Sequence, residues 1–260
     1  MNKNNTNNQY HTCAYCNKEY IANEPSSHII PRQFFKRFKT GINNKEAYST
    51  YHKRLTQRDP KEYLLCSNCE QVFSKWESEF AKRVTNNLYK EQLPDFLVIN
   101  KKVRLAALSI LWRIMHCWAV SNDSKKGTLN CSDIEHLKNY EKTWFDILQE
   151  QRDFSREEAN IFIIPMVCIK SVNETIEDYK KYPGIMSNIV FYNQGNGKGY
   201  YCVRCLVHKV VIFAYLTKAF TCPYNFSIHN EIIQLNEEIM PSPIVDIFID
   251  YANDAIQINI

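Results

Sequence analysis

Apolar positions recur with two different periods along the chain, and the period changes near residue 160. Between Cys69 and about Asn87, Val72, Phe73, Trp76, Phe80 and Val84 return at steps of one, three or four, which predicts a helix. Pro94 marks a boundary. Residues 101–120 form a second helical pattern, with Leu105, Leu108, Leu111, Trp112 and Met115 on its faces. Ser132 and Asp133, followed by Ile134, Leu137, Tyr140, Trp144 and Leu148, predict a third, capped helix. The texture then turns to β. Ile161 to Ile169 is a β-rich run around Pro165. Ile189–Tyr192, the Gly-rich turn at 195–199 and Tyr200–Leu216 read as a hairpin of strands. Val210–Leu216 is continuously apolar, as a strand covered on both faces would be. Pro241 and Pro243 break the stretch from Asn230 to Ile260, which is expected to be helical near its end.

These elements predict an α+β protein in three parts: a polar, Asn-rich tail over residues 1–10, a small module over 11–95, and an α+β domain over 96–260, with helices at about 101–150 and strands at about 160–216. Apolar residues make up 45% of the 260 positions, enough for a sizeable core and too many for a wholly disordered chain. The most apolar segment, Val103–Val120, carries Arg104, Arg113 and His116; charges at mid-bilayer are costly, so a buried helix is expected rather than a membrane span. The opening residues show no apolar stretch of signal-peptide length, which places the expected compartment in the cytoplasm. Thiols stay reduced there, and paired cysteines are read as metal ligands before disulfides.

Cys13-x2-Cys16 and Cys66-x2-Cys69 form two equal pairs separated by 49 residues. Two residues between cysteines let both sulfurs point to one side of a tight turn. Two such turns supply the four thiolates of a closed structural zinc site. A core of about 80 residues is marginal, so a bound Zn²⁺ contributes directly to its folding. A third pair, Cys202-x2-Cys205, lies in a strongly β-patterned stretch before His208. Residues three apart on a strand face opposite ways, so these read as core cysteines, with Cys222 and His229 the residues that could complete a site.

Charge sharpens the picture. The formal net charge is +4, but residues 1–100 carry fifteen basic and ten acidic side chains. From Arg32 to Arg58 there are eight basic residues against one acid, Glu46, interleaved with Phe34, Phe35, Phe38, Tyr48 and Tyr51. A cationic, partly aromatic stretch suits nucleic-acid phosphates. Arg32, Lys36 and Arg37 are spaced for one side of a short helix, and Arg54 and Arg58 for a second contact. These residues would fix register on a backbone rather than read sequence.

Between the cysteine pairs lies Ser26-Ser27-His28-Ile29-Ile30-Pro31-Arg32. Taken with CxxC before it and Leu64-Leu65-Cys66-Ser67-Asn68-Cys69-Glu70 after it, this arrangement resembles the zinc-knuckle branch of the HNH endonucleases. Residues 54–62, Phe73, Glu77 and the helical stretch Leu108–Arg113 resemble a group of bacterial HNH-like proteins. The likeness covers residues 13–80 well and 105–115 loosely. It implies a treble-clef-like ββα-metal module holding Zn²⁺ on Cys13, Cys16, Cys66 and Cys69. It further implies a DNA phosphodiesterase with His28 as general base, and Mg²⁺ or Mn²⁺ as a catalytic ion. The family's Asp before the histidine is Ser27 here. Its middle Asn falls near Lys61 and its last ligand near Glu70, so Gln57, Asp59, Glu62, Glu70 and Glu77 are the oxygen-bearing replacements. Asp59 and Glu70 are the expected ligands, with Gln57 beside them. The plainer reading has Glu70 at a helix start, where negative charge is favoured, and Glu77 in solvent. Residues 96–260 carry no phosphate loop, nucleophile motif or dinucleotide glycine pattern. Their expected work is homodimerisation or binding a regulatory protein, which fits a regulated bacterial defence nuclease acting against phage. The alternative is a zinc-finger-like DNA-binding or adaptor protein without catalysis.

Overall fold

The computed structural model describes residues 9–23, 26–34, 47–49, 54–56, 61–117, 131–156, 158–169, 185–193, 199–207, 209–216 and 225–236. The chain opens with a hairpin of β1 (Tyr10–Thr12) and β2 (Glu19–Ile21), paired His11 to Tyr20. The first cysteine pair forms its turn. Asn17 closes that turn at φ 56°, a left-handed conformation that asparagine tolerates better than most residues. Its N–H bonds the Cys13 carbonyl at 2.9 Å, and the Cys13 N–H bonds Lys18 at 2.9 Å.

Two further short strands, β3 (Ser27–His28) and β6 (Lys61–Glu62), pair antiparallel, with His28 opposite Lys61. Helix α1 (Ser67–Phe80) follows at once. It buries Cys69, Phe73 and Phe80, then continues as a π-helical turn at Ala81–Thr85 and a 3₁₀ turn at Asn87–Tyr89. The expected helix from Cys69 to Asn87 is thus present, with its last turns rewound.

Helix α2 (Lys101–Met115) is the centre of the molecule. Asn100 caps it by accepting the Val103 N–H at 3.0 Å. From Leu105 to Met115 every residue is buried. α2 lies against α1, against α3 (Cys131–Leu148) and against the main sheet. Side chains such as Leu108, Ile110 and Leu111 each contribute roughly 1.5–3 kcal/mol by leaving water. Helix α3 already includes Cys131, so Ser132 and Asp133 lie inside its first turn rather than before it. At its other end Glu150 turns left-handed at φ 58°, and the Gln151 N–H closes back on Asp146 at 2.9 Å.

The expected strands form one sheet. β8 (Ile161–Pro165), β9 (Ile185–Asn193), β10 (Gly199–Val207) and β11 (Val210–Tyr215) are joined in the order β9-β10-β11-β8, all antiparallel. β11 is buried at all six positions, as its unbroken apolar run requires. On the far side of β9 lie β4 (Ala47–Ser49) and β5 (Arg54–Thr56), with β4 parallel to β9. The basic segment between the two cysteine pairs therefore extends the sheet of the later residues. Near the end of the described chain, β12 (Ile232–Gln234) pairs with β7 (Phe96–Val98). Among the described residues, one cluster of buried apolar side chains runs from Cys13 to Ile233. Among the described residues, no helix is long and apolar enough to cross a membrane. The expected helix near residue 260 lies outside them.

Candidate metal centre and the His28 strand

The two cysteine pairs meet. Cys13, Cys16, Cys66 and Cys69 bring their sulfurs within 4.8 Å of one another, and among the described residues no other group of three or more Cys, His, Asp or Glu does so. Four sulfurs at about 2.3 Å from a tetrahedral zinc are about 3.8 Å apart. The Cys16–Cys66 sulfur separation is 3.8 Å. A disulfide would need about 2.0 Å, and all four cysteines are free. The donor set and its spacing fit zinc.

Local structure explains how the sulfurs converge. Cys66 occupies the N-cap of α1 in an extended conformation, and its N–H donates to the Cys13 sulfur at 3.3 Å. Cys69 sits one turn on, and the Ala14 N–H bonds the Leu64 carbonyl at 2.8 Å, tying the first pair to the segment between β6 and α1. The tip of the first turn is anchored in the core. The Tyr15 ring packs edge-on to Phe73 at 5.0 Å, its hydroxyl donates to the Leu148 carbonyl at 2.9 Å, and Gln149 donates to its carbonyl at 2.5 Å.

Left without a cation, the sulfurs hold protons unevenly. Burial works to raise the Cys66 thiol, but hydrogen bonds from the Cys69 amide and from the Cys69, Cys16 and Cys13 thiols bring it down to about 7. Burial pushes Cys13 and Cys69 upward. A divalent ion must displace those protons, and its charge offsets the cost of gathering thiolates out of water.

His28 lies on β3, partly buried. Ser27 is fully buried. Its hydroxyl accepts the Leu65 N–H at 2.7 Å and donates to the Leu65 carbonyl at 3.3 Å. Ser27 therefore clasps β3 to the residue before Cys66. The His28 carbonyl accepts from Arg113 Nη1 at 2.6 Å. Arg113, buried in the last turn of α2, also forms an ion pair with Glu77, donates to Ser109, and lies over the Phe73 ring at 5.2 Å.

This network corrects the plainer reading of Glu77. Its carboxylate is not in solvent but paired with Arg113, and Gln33 donates to its carbonyl at 2.8 Å. Glu70 lies seven residues earlier, about 10 Å along the helix axis, at the cysteine end of α1. Its carboxylate acts on Tyr20, whose hydroxyl is pushed up to about 12, first by burial and then by the charges of Cys13, Cys66, Glu70 and Tyr63. Glu70 Oε1 is buried without a hydrogen-bond partner. Of the remaining expected residues, Arg32 is exposed and begins a helical turn after Pro31. Arg54 is on β5. Lys36, Arg37, Gln57, Arg58 and Asp59 lie outside the described residues. Glu62 faces Ser27 across the β3–β6 pair. Cys202 and Cys205 are buried in β10, and burial pushes both thiols up to about 12; His208 and Cys222 lie outside the described residues.

Sequence reasoning missed Arg113 as part of this site. The signal was present: a cation in the most apolar helix must find partners, and its partners are the His28 strand and α1. No protein-family model, curated protein or solved structure matches the chain.

Proposed function

We propose that the chain is a zinc-stabilised HNH-type endonuclease that hydrolyses DNA phosphodiesters, with His28 as general base. The observation that carries the reading is the four-sulfur cluster at the start of α1, with the His28 strand clasped to it through Ser27 and Leu65. The order β3, β6, α1 supports a ββα unit of treble-clef kind. In this reading zinc is structural and does no chemistry. The imidazole of His28 takes a proton from the water that attacks phosphorus in line. Arg32, with Lys36, Arg37, Arg54 and Arg58, holds the backbone phosphates. Mg²⁺ or Mn²⁺ would neutralise charge on the phosphate; the described residues do not assemble an oxygen ligand set for it, and Glu77 is paired with Arg113. The later residues, fused to the basic segment through β4 and β9, are the surface for a second copy or a regulatory protein. A role in bacterial phage defence fits such a regulated nuclease.

The test is plasmid cleavage by the zinc-loaded chain in Mg²⁺ or Mn²⁺. The reading expects nicking that His28→Ala abolishes while zinc content and fold are kept. Cleavage unchanged in His28→Ala refutes the assignment. The engagement of Glu77 by Arg113 favours one second reading, a DNA-binding or adaptor protein without catalysis. It expects DNA binding and no cleavage with any divalent metal.

A further inference from the structure

Eight cysteines have described side chains, and burial divides them unevenly. Cys13 is 0% exposed and Cys69 6%, and Cys117, Cys168, Cys202 and Cys205 are buried as well. Among these eight, Cys16 and Cys66 alone keep part of their surface in solvent. They come from opposite pairs, and their sulfurs are 3.8 Å apart. Oxidation of a cysteine follows its access to the oxidant as well as its thiolate character. The two cysteines most open to a soluble oxidant are therefore also neighbours.

Both stand where the site is held together. Cys66 is the N-cap of α1, and its N–H donates to the Cys13 sulfur at 3.3 Å. Leu65, just before it, makes both hydrogen bonds that hold Ser27, and with it the His28 strand. Cys16 lies in the turn between β1 and β2, next to Tyr15, whose hydroxyl is tied to Leu148. Joining Cys16 to Cys66 draws their sulfurs from 3.8 Å to about 2.0 Å. It leaves Cys13 and Cys69, two thiolates where a closed zinc site takes four ligands.

We propose that Cys16 and Cys66 form a peroxide-sensitive switch: hydrogen peroxide joins them as a disulfide, the zinc ion is released, and the His28 strand loses the metal-bound segment that holds it. The switch rests on the reading of the four cysteines as a zinc site and adds a regulation to it. One sulfur attacks a peroxide oxygen, the O–O bond breaks, and water leaves as that sulfur becomes a sulfenic acid. The other sulfur displaces the sulfenic oxygen as a second water, and the S–S bond forms. Two electrons pass from the two thiolates to the peroxide, and two protons come from solvent. A dithiol reductant returns both thiols, and the site can be filled again.

The test adds hydrogen peroxide to the zinc-loaded full chain. Zinc release is followed with a colorimetric chelator, the bridged residues are assigned by peptide mapping without reduction and fragmentation of the linked peptides, and amide exchange is read over residues 26–30. The expected result is a Cys16–Cys66 bridge that forms in step with zinc release, faster exchange in β3, and reversal of all three by a dithiol with added zinc. Cys16→His keeps four ligands, three sulfurs and one nitrogen, a set that zinc accepts, but cannot form the bridge. It should release zinc to peroxide at least about tenfold more slowly than the wild type. If that variant does not hold zinc, the wild-type peptide map decides alone. Zinc lost with Cys66 bridged to Cys69, sulfinic acids in place of a bridge, or release equally fast in Cys16→His overturns the switch. A chain that holds zinc and keeps it in peroxide overturns the switch alone, whereas a chain that carries no zinc before peroxide is added overturns the zinc reading and the switch with it.

Discussion

Replacing Arg113 by methionine should destabilise the protein far more than a single surface charge would. Arg113 is 1% exposed, and its partner Glu77 is 16% exposed. Methionine keeps much of the apolar stem. It leaves the Glu77 carboxylate without a cation, the His28 carbonyl without its donor and the Phe73 ring without its cation. Breaking a buried ion pair from one side costs about 3–5 kcal/mol. Glu77 keeps some access to water, so the lower end, about 3 kcal/mol, is expected. For a chain of this length that is a drop of roughly 6–12 °C in melting temperature. The assay is urea unfolding of the zinc-loaded protein, with amide exchange read over residues 26–30. The double variant Arg113→Met/Glu77→Gln removes the stranded charge and should recover about 1 kcal/mol or more relative to additivity. Exchange in β3 should quicken in both variants, because the His28 carbonyl lacks its donor in each. A loss under about 1 kcal/mol, or strict additivity with Glu77→Gln, would refute the view that this pair holds the His28 strand in place.

Other consequences are as direct. Ser27→Ala removes a buried hydroxyl bonded twice to Leu65 and leaves those backbone groups short of a partner; it should cost about 1–3 kcal/mol and weaken zinc retention against a chelator. Zinc affinity should fall as pH drops below about 7, where Cys66 joins Cys13 and Cys69 in holding a proton that the metal must displace. A flat affinity between pH 8 and pH 6 by competition with a colorimetric chelator, a window of about one unit either side, would contradict this. DNA affinity should fall steeply with salt through release of counterions from the phosphates, and a titration showing no loss at rising salt would remove the basic segment from the interface.

What could be read from the sequence was what is local in it. The two cysteine pairs declare their chemistry within four residues each, and the structure gathers all four sulfurs. The helix at 101–115 and the strand at 210–215 announce themselves by runs of apolar residues, since burial on every side leaves no polar face to mark. What was not legible depends on distant partners. β4 and β5 are three residues each within a basic stretch, and β4 finds its partner in β9, beyond any periodic signal. Glu77 looked like one more polar position on a helix until Arg113, 36 residues away, came to meet it. The work of Ser27 was equally hidden: its hydroxyl bonds both backbone groups of Leu65, 38 residues away.

The central claim is that one zinc ion on four sulfurs organises the segment that carries His28. X-ray absorption at the zinc edge of protein purified without added metal tests it most directly. The account predicts one zinc per chain with a single shell of four sulfurs at about 2.3 Å. Protein without zinc, a mixed shell of nitrogen or oxygen ligands, or sulfurs found as disulfides would contradict it.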